Sequence, residues 1–161
     1  KENSSAAIIG GGDGGVAREL SSKGFDLIDW YELDPEVVKV CQKHLTKVCG
    51  DVKANNKVKT YWGDAFESIK KVKDGKYDKI FVDLNDDQFC INLAAKNMKG
   101  LKRILKPGGV ITAQVGCLSK KPKQVKNWME LLESNFGNSK LTEAFIPSFD
   151  CRWNFASSSH K

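Results

Sequence analysis

Ala6-Ala7-Ile8-Ile9-Gly10-Gly11-Gly12-Asp13-Gly14-Gly15 is a short apolar run that empties into five glycines around one aspartate. The run reads as a β-strand, and Val16-Ala17-Arg18-Glu19-Leu20 behind it reads as the opening of a helix. Strand, glycine turn and helix in that order form the place where a nucleotide-like ligand meets an α/β sheet. Gly10, Gly11, Gly12, Gly14 and Gly15 let backbone approach such a ligand, because no Cβ stands in the way. Asp13 is the unusual member. A loop shaped for pyrophosphate would not set a carboxylate against it, whereas a loop shaped for a cation would. The expected ligand is nucleoside-like and positively charged.

Outward from this turn, strands and helices alternate. Phe25 to Tyr31 reads as a second strand, and Asp34-Pro35 starts a helix, with aspartate at the N-cap and proline at the first helical position. Val37, Val38, Cys41, Leu45 and Val48 recur along it at helical spacing. Gly50 to Asn56 is a polar loop and Lys57 to Trp62 an alternating strand. Gly63-Asp64 opens a helix with Phe66, Ile69 and Val72 on one face. Tyr77 to Leu84 is a fourth strand. Ile91 to Leu105 is helical and stops before Lys106-Pro107-Gly108-Gly109, a turn signal. Val110 to Val115 is a fifth strand, Val125 to Phe136 a helix, and Leu141 to Ile146 with Arg152 to Ser157 a closing pair of strands. The fold class is α/β, with a Rossmann-like, seven-stranded, methyltransferase-type sheet. It is mostly parallel, with a C-terminal antiparallel hairpin.

In such sheets ligands sit beyond the carboxyl ends of the strands. Asp13 follows the first strand, Glu32 the second, Asp64 the third and Asp83 the fourth, with Asp86 and Asp87 close behind. Glu32 lies near the spacing at which an acid accepts hydrogen bonds from ribose hydroxyls. Asp64 also fits an N-cap, and the two roles are compatible. Crowded carboxylates repel one another and raise each other's pKa until cations neutralise them. The ligands should therefore be strongly cationic.

The 161 residues form one domain, 1–161, with no apolar run of membrane-spanning length and no signal-peptide start. Five scattered cysteines without a Cys-x-x-Cys pair argue against a zinc site or redox motif and fit a reducing cytosol. The net charge of +6 comes almost wholly from lysine, with only Arg18, Arg103 and Arg152 as arginines. Arginine is the usual reader of bases and phosphates, so a specific nucleic-acid partner is not expected.

The motifs Gly10-Gly11-Gly12-Asp13-Gly14-Gly15, Tyr31-Glu32-Leu33-Asp34, Gly63-Asp64-Ala65 and Val82-Asp83-Leu84-Asn85-Asp86 resemble the spermidine/spermine synthase (aminopropyltransferase) family. Gln114 with Cys117, and Ile146-Pro147-Ser148-Phe149, fall in matching order, so the resemblance covers essentially the whole chain. Cys49-Gly50-Asp51-Val52, Leu84, and Pro147-Ser148-Phe149 followed by Trp153 lean towards the spermine synthase branch. The resemblance implies polyamine biosynthesis. In that reaction the aminopropyl group of decarboxylated S-adenosylmethionine passes to spermidine or putrescine, releasing methylthioadenosine. It also implies roles by position. Asp83 is the catalytic base, Asp13 and Asp83 hold the aminopropyl amine, Glu32 the ribose, and Asp64 with Ala65 the adenine. Asp86, Gln114, Phe149, Asp150 and Trp153 complete the substrate-binding set.

No metal and no resident cofactor are expected, since the co-substrate's sulfonium is already a good leaving group. Expected partners are small-molecule polyamine and adenosyl substrates, with a homodimer left open, no membrane, and a cytoplasmic location. The family's Asp-Ser-Ser-Asp-Pro loop reads Asp83-Leu84-Asn85-Asp86-Asp87 here, without the proline. Phe149 stands where a tyrosine is common, and Asp150 is out of register with the nearby family acid. The family's N-terminal β-rich region is expected to be absent, leaving either a fragment or a bare domain. Two alternatives stand beside this reading: an S-adenosylmethionine-dependent methyltransferase on the same fold, and a catalytically incomplete nucleoside- or polyamine-binding domain.

Overall fold

A computed structural model describes residues 4–161, the side chain of Lys53 excepted. The chain runs β1 (Ser5–Gly10), α1 (Gly15–Ser22), β2 (Leu27–Glu32), α2 (Pro35–His44), α3 (Thr46–Cys49), β3 (Val58–Trp62), α4 (Ala65–Ile69) and β4 (Tyr77–Asp83). It continues α5 (Gln88–Ile104), β5 (Leu105–Gly116), α6 (Pro122–Phe136), β6 (Lys140–Ile146) and β7 (Cys151–Ser159), with single 3-10 turns at Val52–Ala54 and Pro147–Phe149. The strands form one seven-stranded sheet in the order β3-β2-β1-β4-β5-β7-β6. Neighbours among β1 to β5 pair in parallel, while β7 runs antiparallel to both β5 and β6. This is the expected sheet with its closing hairpin. Among the described residues no helix is long and apolar enough to cross a membrane.

Both faces of β1 are covered, so its residues are apolar without alternation. Ala6 and Ile8 pack with Ala17, Leu20 and Trp30 on the α1 side. Ala7 and Ile9 pack with Phe66, Ile80 and Met98 on the side of α4, α5 and α6. All four are fully buried.

Three local expectations are corrected. The apolar series from Val37 to Val48 predicts one helix, but the chain breaks at Leu45, and Val37, Leu45 and Val48 are exposed. The break turns α3 back towards α1. There Arg18 donates to the carbonyls of Lys47 and Val48, and the Cys49 thiol donates to the Asp13 carbonyl at 2.7 Å. Lys106-Pro107-Gly108-Gly109 lies inside β5 instead of separating helix from strand. Tyr77 pairs with Leu105 and Lys79 with Val110, so β5 bulges between them. The bulge is held by Gly108 N–H to the His160 carbonyl and His160 N–H to the Gly109 carbonyl. Finally, two of the scattered cysteines, Cys117 and Cys151, form a disulfide, while Cys41, Cys49 and Cys90 are free.

Beneath β2 lies a buried polar cluster with a stability consequence. Asp29 is fully buried, and its Oδ2 accepts from the Tyr77 hydroxyl at 2.6 Å and from the Lys76 ammonium. The Tyr77 proton is committed to Asp29, so the 2.6 Å contact between the two phenols is donated by Tyr31. Asp29 Oδ1 has no hydrogen-bond partner among the described residues. Tyr77→Phe removes a donor from an already under-satisfied buried carboxylate. It is expected to lower the unfolding free energy by about 1–3 kcal/mol, as read from urea denaturation; an unchanged midpoint would show that Lys76 alone suffices.

Candidate active site

Gly10 and Asp83 are register partners, which puts the glycine turn against the carboxyl end of β4. The Gly11 N–H donates to the Asp83 carbonyl at 2.9 Å. Gly10 has φ +83°, and a Cβ there would run into that same carbonyl. A Cβ on Gly11 (φ +70°) would stand 3.0 Å from Asp83 Oδ2, and one on Gly12 would stand 3.2 Å from Glu32 Oε2. Glycine is needed because the Asp83 carbonyl, the Val37 side chain and two carboxylates already fill the space. The loop is fixed from beneath by Trp30, whose indole N–H donates to the Gly10 carbonyl at 2.8 Å. No local pattern in the sequence announces that contact.

The acids differ in surroundings. Asp13 is exposed, and its Oδ1 accepts from the Gly15 N–H at 2.8 Å at the start of α1. Glu32 is buried, and its Oε1 accepts from the Asp34 N–H at 3.0 Å. The Asp83 carboxyl is raised above the usual carboxylate range. Burial first, then the Asp13 and Glu32 charges, pushes its carboxyl from 3.8 up to about 6. These three residues form one electrostatic unit around the glycine turn.

The remaining expected positions spread along the same rim. Asp64 is the N-cap of α4, accepting from the N–H groups of Phe66 at 2.7 Å and Glu67 at 3.3 Å, and Ala65 opens that helix. Gln114 joins the loop after β4 to β7: its amide donates to the Leu84 carbonyl, and its Oε1 accepts from the Trp153 indole at 2.7 Å. Phe149 rests on Trp153 with ring centroids 4.3 Å apart. Asp150 has a left-handed backbone (φ 44°) and lines a separate cavity of about 370 Å³ with Leu118, Lys120 and Arg152. Asp86 is not free, because the Lys121 ammonium lies 2.8 Å from its Oδ2. The sequence reading missed Lys121, Trp30 and the Cys117–Cys151 bond. A cavity of about 670 Å³, larger than the one beside Asp150, lies away from this rim. Tyr31, Tyr61, Ser68 and Lys76 help line it. Among the described residues no group of three or more His, Cys, Asp or Glu side chains is arranged to hold a metal ion.

The sheet order, with a glycine turn and a carboxylate cluster at the carboxyl ends of the strands, places the chain in the class of doubly wound α/β proteins, whose ligands bind beyond those strand ends. Comparison with known proteins narrows it. The model of the spermine/spermidine synthase domain matches residues 1–161, and the chain belongs to that family. A polyamine aminopropyltransferase of Prochlorococcus marinus (strain MIT 9215) is 33% identical over 168 residues, covering 98% of this chain and 58% of the relative. A polyamine aminopropyltransferase of Korarchaeum cryptofilum is 25% identical over 151 residues, covering 92% of this chain and 47% of the relative. The chain thus spans little more than half the length of the first of these. Spermidine synthase from Thermotoga maritima superposes with a TM-score of 0.86 at 20% identity, over 99% of this chain and 54% of that one. A spermidine synthase in complex with the transition-state analogue AdoDATO gives 0.84 at 20% identity, over the same shares. These superpositions establish the fold.

Proposed function

We propose that this chain carries the catalytic centre for aminopropyl transfer from decarboxylated S-adenosylmethionine to a polyamine. The observation that carries the reading is Asp83, a carboxyl raised to about 6, set against the glycine turn between Asp13 and Glu32. Family membership supplies the reaction class, and the first relatives are named polyamine aminopropyltransferases. Methyl transfer from S-adenosylmethionine is not favoured by these comparisons, and they do not single out the spermine synthase branch.

The chemistry follows from charge. An acceptor amine arrives as an ammonium, which has no lone pair. Asp83 takes its proton, and a group titrating near 6 is ionised at neutral pH while still matched to that transfer. The freed nitrogen attacks the aminopropyl carbon bonded to sulfur. The C–S bond breaks, its electron pair goes to sulfur, and neutral methylthioadenosine leaves. Asp13 and Asp83 hold the aminopropyl ammonium and Glu32 the ribose; aligning both substrates supplies much of the remaining rate. The sulfonium is itself the leaving group, so the step needs no resident cofactor.

Calorimetry with four nucleosides tests the reading. The chain is expected to prefer methylthioadenosine and decarboxylated S-adenosylmethionine over S-adenosylmethionine and S-adenosylhomocysteine, because the last two bring a carboxylate towards Asp13. Preference for the carboxylated pair would overturn it.

A further inference from the structure

Asp86 sits three residues beyond Asp83 on the loop joining β4 to α5, and its carboxylate is already occupied from within the chain. Lys121 Nζ lies 2.8 Å from Asp86 Oδ2 and 3.1 Å from the Asp86 carbonyl. The lysine is not a dangling surface residue at its backbone. Its N–H donates to the Cys117 carbonyl at 2.7 Å, at the start of α6, and Cys117 is bonded to Cys151. On the other side, Asp86 Oδ2 faces the carboxyl end of β5, 3.5 Å from where a Gly116 Cβ would stand. The pair therefore bridges two loops at the half of the rim that also carries Gln114, Phe149 and Trp153. What Lys121 offers Asp86 is a four-carbon chain ending in ammonium. That is the same group as the aminobutyl end of a polyamine.

We propose that Lys121 is an acceptor-specificity residue, an internal alkylammonium that holds Asp86 and must be displaced by the distal ammonium of a di- or triamine. This rests on the aminopropyl-transfer reading. Side-chain exposures of 47% for Lys121 and 30% for Asp86 make the pair solvent-accessible and its strength modest. Displacement is thus a tax on acceptor affinity and no block. It falls on acceptors with a second charge and spares a monoamine, whose single nitrogen goes to Asp83.

The test compares the chain with Lys121→Met, which keeps the length and apolar stem but removes the charge, and with Lys121→Arg, which keeps the charge. Acceptor KM is measured for spermidine, putrescine and n-butylamine, alongside calorimetric binding of spermidine to the methylthioadenosine-saturated chain. Lys121→Met is expected to lower KM and Kd for spermidine and putrescine about two- to fivefold. It should leave kcat and the n-butylamine KM unchanged, with Lys121→Arg close to the parent. Equal shifts for all three amines, a rise in KM, or no change while methylthioadenosine still binds would overturn the proposal and leave the reaction standing. A chain that binds neither methylthioadenosine nor polyamine would overturn both.

Discussion

Asp83→Asn is expected to lower the rate of aminopropyl transfer by about 10²–10⁴-fold, because it removes the proton acceptor set against the glycine turn whose carboxyl is raised to about 6. Methylthioadenosine affinity should change little, since Glu32, Asp64 and the glycine turn are untouched. In the parent chain kcat/KM, which reports the ligand-free site, should rise as pH passes through about 6, where the Asp83 carboxyl ionises, and Asp83→Asn should lack that inflection. More than a tenth of the parent rate in the variant, or a flat parent profile between pH 5 and 7, would remove Asp83 from the role of base.

The same residue makes a second, opposite prediction about stability. The folded carboxyl stays protonated up to about pH 6, whereas the unfolded one loses its proton near 4. Between those values the folded state binds more protons, so stability falls as pH rises. The contribution of Asp83 is fully present below about pH 4 and is lost as pH climbs through about 6. At pH 7 Asp83→Asn should therefore be more stable than the parent by about 1–3 kcal/mol, with the gap closing near pH 4. A variant that loses turnover while gaining stability is the signature of carboxylates held together for a cationic ligand, not for the fold.

How much of this was visible in the sequence depends on the range of the interactions. The β1–turn–α1 unit, the Asp34-Pro35 helix start and the strand ends bearing Glu32, Asp64 and Asp83 were legible, because each rests on periodicity or capping within a few residues. The Val37–Val48 stripe misled. Its spacing was helical, but Arg18, thirty residues away from Val48, binds the chain after Leu45, and of the stripe only Val38 is fully buried while Val37, Leu45 and Val48 face solvent. Pro107-Gly108-Gly109 misled for a related reason: it pairs with the chain's own C-terminal segment through His160, and a long-range partner keeps the turn residues inside a strand. Trp30 under Gly10, Lys121 on Asp86 and Gln114 between Leu84 and Trp153 have no local signature at all. The sequence could place carboxylates at the rim, but not say that Asp86 was already engaged.

Breaking the Cys117–Cys151 bond is expected to cost more stability than any other single change considered. The residues are 34 apart, and closing a loop of that size removes chain entropy from the unfolded state worth about 3–4 kcal/mol. Both cysteines are buried, so their replacement by serine leaves small polar groups in place of a packed bridge. Cys117→Ser, Cys151→Ser and the double variant should each lose about 2–4 kcal/mol in urea denaturation, and the double variant should lose little more than either single one, because one bond is being removed each time. The parent treated with dithiothreitol should match them. Thiol titration of the denatured chain provides the control, with three reactive thiols before reduction, from Cys41, Cys49 and Cys90, and five after it. The bond ties the end of β5 to the start of β7, directly after the loop that presents Phe149. Loss of the bridge should therefore also raise acceptor KM before it affects methylthioadenosine binding, which is proposed to rest on the residues at the ends of β1 to β4. Five titratable thiols in the untreated chain, or an unchanged urea midpoint after reduction, would show that the two sulfurs do not hold the fold together.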